Sequence, residues 1–150
     1  MPHTLGVIYI HLIFSTKDRV PCLEASLRPR LFAYLATLVR DQGCECPRAG
    51  GVADHVHLAV RLSRTISVAT LVEDVKVASS KWIKAQAPEL SNFAWQPGYG
   101  VFSVGPSDLK ALLAYIDKQE EHHLRKTFEE EFRMFLAKYD ITFDEQYLWK

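Results

Sequence analysis

Two histidines at alternate positions are the first residues whose types and spacing could do chemistry. His55 and His57 flank Val56 in a run of aliphatic residues that is typical of a strand. Alternate strand residues share a face, so both imidazoles should point the same way, about 6–7 Å apart along the backbone. One divalent metal ion could be held there, although an ordinary polar strand face explains the same pattern. Asp54 before them is a third ligand, a partner for an imidazole, or a turn residue.

A predicted helix carries the second chemical group. Tyr115, Gln119 and His122 follow at intervals of four and three residues, so they share one helical stripe. This stripe lies roughly 100° from the apolar stripe that contains Leu109 and Leu112. Tyr115 therefore lies at the edge of the packed face, with its hydroxyl able to reach outward. The residue is either a nucleophile or an amphipathic tyrosine that covers the core margin.

The elements that must position these groups follow from hydrophobic periodicity and capping residues. The predicted order is β-α-β-β-α-β followed by two helices, which is typical of an α+β, ferredoxin-like (RRM-like) antiparallel sheet with helices packed on one face. The other face remains to be covered, by this chain or by a partner subunit. The predicted elements are strands within residues 5–15, 44–53, 55–62 and 95–104, and helices from Ser26 to Gly43, from Ser67 to Pro88, from Ser107, and from the capping box Thr127/Glu130.

Length and composition are those of one domain. The 150 residues are 48% hydrophobic, enough for one core, so we expect a single domain over residues 1–150, with the tyrosine helix and C-terminal helices at about 107–138. The charge is balanced, 18 basic against 18 acidic residues, so net charge alone indicates no polyanionic partner. No leader-like segment or run of ~20 apolar residues is found, which predicts a cytoplasmic protein without a membrane partner.

Five ordered segments resemble a known family. They are residues 11–17, residues 54–58, Lys76 with residues 79–83, residues 95–104, and residues 115–123. Together they resemble the single-tyrosine HUH (His-hydrophobic-His) transposases of small bacterial insertion sequences, the IS200-like transposases, over nearly the whole chain. The resemblance implies an enzyme, a metal-dependent endonuclease and strand transferase that acts on single-stranded DNA.

The resemblance also assigns roles to the residues singled out above. It implies that His55, His57 and Gln119 bind a divalent cation, Mg²⁺ or Mn²⁺, which polarises the scissile phosphate. Tyr115 would attack that phosphate and form a 5′-phosphotyrosine, which a 3′ hydroxyl can later resolve without ATP. By donor chemistry alone, a pair of histidines would also suit zinc or nickel. His122 and His123 match the family pattern without an assigned role.

The expected partners come from the same resemblance. It implies binding of hairpins formed by single-stranded DNA ends, and a homodimer in which the tyrosine helix can dock on the histidines of the opposite subunit. Alternatives are a domesticated hairpin-nicking relative, a non-catalytic nucleic-acid-binding module, and a metal hydrolase that uses water. The basic residues expected nearest the DNA are Arg61, Arg64, Lys76, Lys81 and Lys84.

Overall fold

The computed structural model describes residues 3–145, so the ends of the predicted domain, residues 1–2 and 146–150, lie outside the described residues. No helix in this described part is long and apolar enough to cross a membrane. The described strands are β1 (Tyr9–Ser15), β2 (Glu45–Gly51), β3 (His55–Arg61) and β4 (Gly100–Val104), and the α-helices are α1 (Arg28–Asp41), α2 (Val68–Lys84), α3 (Leu109–Asp117), α4 (Gln119–His122) and α5 (Phe128–Lys138).

The strands form one antiparallel sheet in the order β2-β3-β1-β4. β1 lies at the centre, where His11 is opposite Ala59 of β3 on one side and Phe102 of β4 on the other. This position explains its nearly continuous apolar sequence, because both faces of β1 are covered. The predicted α+β, ferredoxin-like arrangement is confirmed.

One face of the sheet is covered by α1 and α2. Leu35 of α1 and Val75 of α2 belong to the same buried cluster as Val56 and Leu58 of β3. The strand therefore sends its odd-numbered side chains, His55 and His57 among them, to the opposite face.

Helix ends lie close to the positions that the capping residues predict. The side chain of Ser67 accepts a hydrogen bond from the backbone N–H of Thr70 and caps α2. Gly43 follows the end of α1 with a φ of 81°, which favours glycine. Thr127 and Glu130 form the reciprocal capping box at the start of α5.

The second face of the sheet is covered by the chain's own C-terminal part. Phe128 and Phe132 of α5 pack with Ile13 and Phe102 of the sheet in a second buried cluster. The helix is held at both ends, because Glu129 forms an ion pair with Arg19 and the Tyr139 hydroxyl donates a 2.7 Å hydrogen bond to the Ser103 carbonyl. The sequence did not show what covers this face, and in the described residues α3, α4 and α5 of the same chain cover it.

The predicted third helix differs from the observed one. Ser107 lies in a 3-10 turn, Pro106–Asp108, and α3 begins at Leu109 without a side-chain cap. The helix then breaks at Lys118, where φ is −101° and ψ is 19°, and α4 begins at Gln119. The prediction of one continuous helical stripe from Tyr115 to His122 is therefore wrong at Lys118. The sequence gives no sign of this break, because no glycine or proline marks it.

Candidate active site

β3 presents His55 and His57 on the face that the C-terminal helices cover. Both side chains lie on this face, as strand alternation predicts, and their rings are edge-on to each other with centroids 5.1 Å apart. Neither side chain is exposed (0% for both). Buried imidazoles need partners for their ring nitrogens, and these partners come from several elements.

Glu131 of α5 lies at the centre of the site. Its Oε1 is 3.1 Å from His57 Nε2 and 3.3 Å from His55 Nε2. Its Oε2 accepts a hydrogen bond from the Tyr115 hydroxyl. The Glu131 side chain is only 2% exposed, which a carboxylate tolerates when it is paired and hydrogen-bonded. A single carboxyl group therefore joins the histidine pair to the tyrosine.

The predicted ligand Gln119 also lies at this site. Its Oε1 is 3.3 Å from His55 Nε2 and 3.1 Å from His123 Nε2. His123 Nε2 lies in turn 3.3 Å from Glu131 Oε1. The structure thus brings Gln119 to the histidine pair and adds a third imidazole, to which the sequence assigned no role.

Tyr115 faces the histidines of its own chain. Its ring is edge-on to His57, with centroids 5.8 Å apart, and it stacks on His122 with centroids 4.6 Å apart. These contacts fix the ring at the margin of the packed face, where the sequence placed it. The hydroxyl points inward to Glu131, so the residue is more than a cover for the core edge.

The Nδ1 atoms of His55 and His57, which point away from Glu131, each have a partner of their own. Asp54 Oδ1 is 2.7 Å from His55 Nδ1. Of the roles that the sequence left open for Asp54, this contact supports that of a partner for an imidazole. His11 Nε2 of β1 is 2.8 Å from His57 Nδ1. Such contacts orient the rings so that both Nε2 atoms converge on Glu131.

Burial and mutual contacts set the protonation of the site. Burial acts to raise the pKa of Glu131, but hydrogen bonds with His123, His55 and His57 outweigh it and hold that pKa far below its usual range. Burial lowers the pKa of His57 to about 4. Burial acts to lower the pKa of His55, yet its two carboxylate neighbours raise it overall. For Tyr115, burial and the negative charge of Glu131 raise the pKa, so its hydroxyl keeps its proton.

The donor set fits a divalent cation. The ligand atoms of His55, His57 and Glu131 all lie within 4.8 Å of one another, and the carboxylate oxygen is 3.1–3.3 Å from the two nitrogens. Neighbouring ligands of one ion with bonds of about 2.1 Å are separated by roughly 3.0–3.4 Å, and the two distances from the carboxylate oxygen already match this range. Two imidazoles and a carboxylate could hold a metal ion here.

The predicted DNA-binding arginines lie at one end of β3. Arg61 has its guanidinium 3.7 Å from the carboxylate of Glu45 on β2. Arg64 follows β3 in a loop and lines, with Arg61, a cleft of about 240 Å³. Both groups are accessible, and neither takes part in the contacts described above between Tyr115, Glu131 and the histidines.

The predicted DNA-binding lysines belong to α2. Lys81 and Lys84 are exposed and line a groove of about 550 Å³ between α2 and residues 93–99. Lys76 is partly buried in the same groove and donates hydrogen bonds of 2.8 and 2.6 Å to the carbonyls of Gln96 and Gly98. Burial lowers its pKa to about 8. Because α2 packs on the opposite face of the sheet from the histidines, these lysines are separated from the candidate site.

The sequence interpretation missed Glu131, the residue with the most contacts to the site. A signal was present, because Glu131 follows Phe128 by three residues and precedes Phe135 by four, so a carboxylate interrupts the apolar stripe of α5. His11, in the apolar sequence of β1, is a similar interruption. A polar group within an apolar stripe indicates a buried partner, but it does not identify that partner.

A comparison of the sequence with known families identifies the class of protein. The sequence matches the family model of IS200-like transposases over residues 4–119, and the chain belongs to that family. The match includes His55, His57, Tyr115 and Gln119, whereas Glu131 lies beyond it. No curated protein is significantly similar to the sequence.

Two solved structures are similar to this chain. One is a transposase candidate from Deinococcus radiodurans R1, with 22% identity and a TM-score of 0.63, covering 79% of this chain and 95% of that chain. The other is a REP-associated tyrosine transposase bound to a REP hairpin, with 14% identity and a TM-score of 0.60, covering 82% of this chain and 72% of that chain. At such identities the likeness shows a common fold.

Proposed function

We propose that this transposase cleaves and rejoins single-stranded DNA at hairpin-forming ends through a 5′-phosphotyrosine on Tyr115. The observation that carries the proposal is the shared carboxyl group: Glu131 contacts the Tyr115 hydroxyl with one oxygen and both imidazoles, His55 and His57, with the other. Nucleophile and candidate metal ligands are therefore adjacent. The solved structure of a similar protein with a REP hairpin supports a hairpin as the substrate class.

A divalent cation, Mg²⁺ or Mn²⁺, belongs to the proposal. His55 and His57 would hold it together with Glu131, with Gln119 as a further or alternative oxygen ligand. An ion held by these residues would polarise the scissile phosphate and would offset the Glu131 charge, which together with burial keeps the pKa of Tyr115 high. The mixed nitrogen and oxygen donors would favour Mn²⁺ over Mg²⁺.

The protein's own groups complete the chemical step. The Tyr115 oxygen forms a bond to phosphorus while the bond from phosphorus to the 3′ oxygen breaks. The phenolic proton passes by way of Glu131 Oε2 to the leaving 3′ oxygen, which becomes a 3′ hydroxyl, so no proton is gained or lost overall. Attack by a 3′ hydroxyl on the phosphotyrosine reverses these changes and reseals the strand, because the ester conserves the free energy of the broken bond.

The described arrangement must open for DNA to enter. His55 and His57 are fully buried and Glu131 is nearly so, which leaves no room for a phosphate between Tyr115 and the histidines. α5 carries Glu131 and covers these residues, so a shift of α5 is the smallest change that admits a strand. We expect this helix to move when substrate binds.

Two expectations about partners stay predictions. The first is a homodimer with active sites shared between subunits; in the described residues Tyr115 contacts His57 of its own chain. The second is contact between DNA and the five basic residues expected nearest to it. These residues are Arg61, Arg64, Lys76, Lys81 and Lys84.

The test is formation of a covalent protein–DNA adduct. The protein is incubated with a single-stranded hairpin substrate and Mn²⁺ or Mg²⁺, and the adduct is resolved on a denaturing gel. We expect an adduct with the wild type, none with Tyr115→Phe, and a normal yield with the control Tyr34→Phe, which alters a tyrosine on α1 that stacks on Trp82. An adduct that persists in Tyr115→Phe, or cleavage without any adduct, refutes the assigned nucleophile.

A further inference from the structure

His11 and His57 form a buried imidazole pair beneath the candidate metal site. His11 Nε2 and His57 Nδ1 are 2.8 Å apart, and the rings are stacked with centroids 5.0 Å apart and an interplanar angle of 25°. The His11 side chain is 2% exposed. A separation of 2.8 Å between two ring nitrogens requires one proton between them, carried by one ring and accepted by the other.

Without a cation, the Glu131 carboxylate decides which ring carries that proton. His57 Nε2 faces Glu131 Oε1 at 3.1 Å, and a carboxylate only accepts hydrogen bonds. A neutral His57 therefore has its single proton on Nε2. Its Nδ1 must then accept the proton of the pair, so His11 is protonated on Nε2.

A cation at the site demands the opposite arrangement. A metal ion binds the lone pair of His57 Nε2, so a neutral His57 must carry its proton on Nδ1. That proton is donated to His11 Nε2, which now needs a free lone pair. A neutral His11 must therefore carry its own proton on Nδ1. Burial of both rings favours the neutral forms throughout.

We propose that His11 is a positioning residue that lets His57 bind a metal ion by a coupled change of tautomer in both rings. The proton of the pair moves from His11 Nε2 to His57 Nδ1, His57 Nε2 releases a proton, and His11 Nδ1 takes one up from solvent. Neither ring changes its charge, and no net proton is released by the pair. The ring of His11 also lines a cavity of about 630 Å³, through which water can exchange that last proton.

This inference rests on the proposed metal site, and it makes a specific statement about His11. A side chain at this position must accept a hydrogen bond from His57 Nδ1–H in the metal-bound state. A glutamine carbonyl can do so, whereas phenylalanine fills similar space and offers no acceptor. Loss of the orienting partner of a metal-binding histidine typically costs about 10–100-fold in metal affinity.

The direct test is nuclear magnetic resonance of the wild-type protein with ¹⁵N-labelled histidine. Long-range ¹H–¹⁵N correlation spectra distinguish the two neutral tautomers, and Mg²⁺ is diamagnetic. In chelator-treated protein we expect His57 and His11 to be protonated on Nε2; with saturating Mg²⁺ we expect both to be protonated on Nδ1. An unchanged His11 tautomer in a protein that binds Mg²⁺ overturns the inference.

Calorimetric titration with Mn²⁺ supplies the second readout. We expect His11→Phe to weaken Mn²⁺ binding by about 10–100-fold, and His11→Gln to stay within about threefold of the wild type. The exposed His3, changed to Phe, is the control for loss of a histidine. Wild-type affinity in a folded His11→Phe overturns the inference. Absence of Mn²⁺ binding in the wild type itself defeats the proposed metal site instead, so the two failures are distinguishable.

Discussion

Replacement of Glu131 by glutamine tests the composition of the metal site. The change keeps the size of the side chain and one carbonyl oxygen, but it removes the charge that faces His55 and His57 at 3.1–3.3 Å. Loss of a residue that only orients a ligand costs about 10–100-fold in metal affinity. A direct anionic ligand should exceed this range, so we expect Mn²⁺ binding to weaken at least 100-fold, or about 2.7 kcal/mol.

The assay is a titration with Mn²⁺ followed by electron paramagnetic resonance of the free ion. Gln119→Ala is measured in parallel, because Gln119 is the ligand that the family resemblance implies. A neutral amide oxygen is a weaker donor than a carboxylate, so we expect this variant to lose less affinity than Glu131→Gln. Thermal unfolding in the presence of a chelator establishes that both variants are folded before the metal is added.

The opposite ranking would refute the reasoning. If Glu131→Gln binds Mn²⁺ within about threefold of the wild type while Gln119→Ala loses 100-fold or more, Glu131 only occupies the site until a cation replaces it. The ligands would then be His55, His57 and Gln119, and the contacts of α5 would describe a closed form of the site.

Three further changes test separate parts of the structure. Tyr115→Phe should abolish the covalent adduct yet leave Mn²⁺ affinity within about threefold, and a tenfold loss would make the hydroxyl part of the metal site. Gly50→Ala should lower the free energy of unfolding by about 1–3 kcal/mol in urea, because its Cβ would lie 2.7 Å from Ile116 Cγ2; an unchanged midpoint would contradict this close approach. Thr127→Ala should cost about 1 kcal/mol by removing the capping box with Glu130, seen as a lower melting temperature; equal melting would show that the box contributes nothing.

Local patterns in the sequence predicted the elements that carry the site. Strand alternation placed His55 and His57 on one face, and capping residues located the starts of α2 and α5, because these features depend on neighbours a few residues away. The four-stranded topology followed from the order of such elements. Tyr115 was placed correctly at the margin of its helix for the same local reason.

The contacts across the sheet could not be predicted in this way. Glu131 meets His57 only because α5 returns over the sheet, 74 residues further along the chain. Neither a spacing nor a cap encodes that return. The break at Lys118 is another example, because it lies in a stretch of good helix formers and carries no local signal. Tertiary packing decides both features, and it brings the Glu131 carboxylate to the two histidines of the proposed metal site.

The position of Tyr115 beside its own histidines has a consequence for stoichiometry. A centre that is complete within one chain holds a single nucleophile, so it can carry only one attached 5′ end at a time. Release of a DNA segment requires two breaks. Two copies would therefore have to act on the same strand, or one copy would have to finish its first joining reaction before starting another. Counting the attached 5′ ends per molecule in a trapped reaction would distinguish these orders of events.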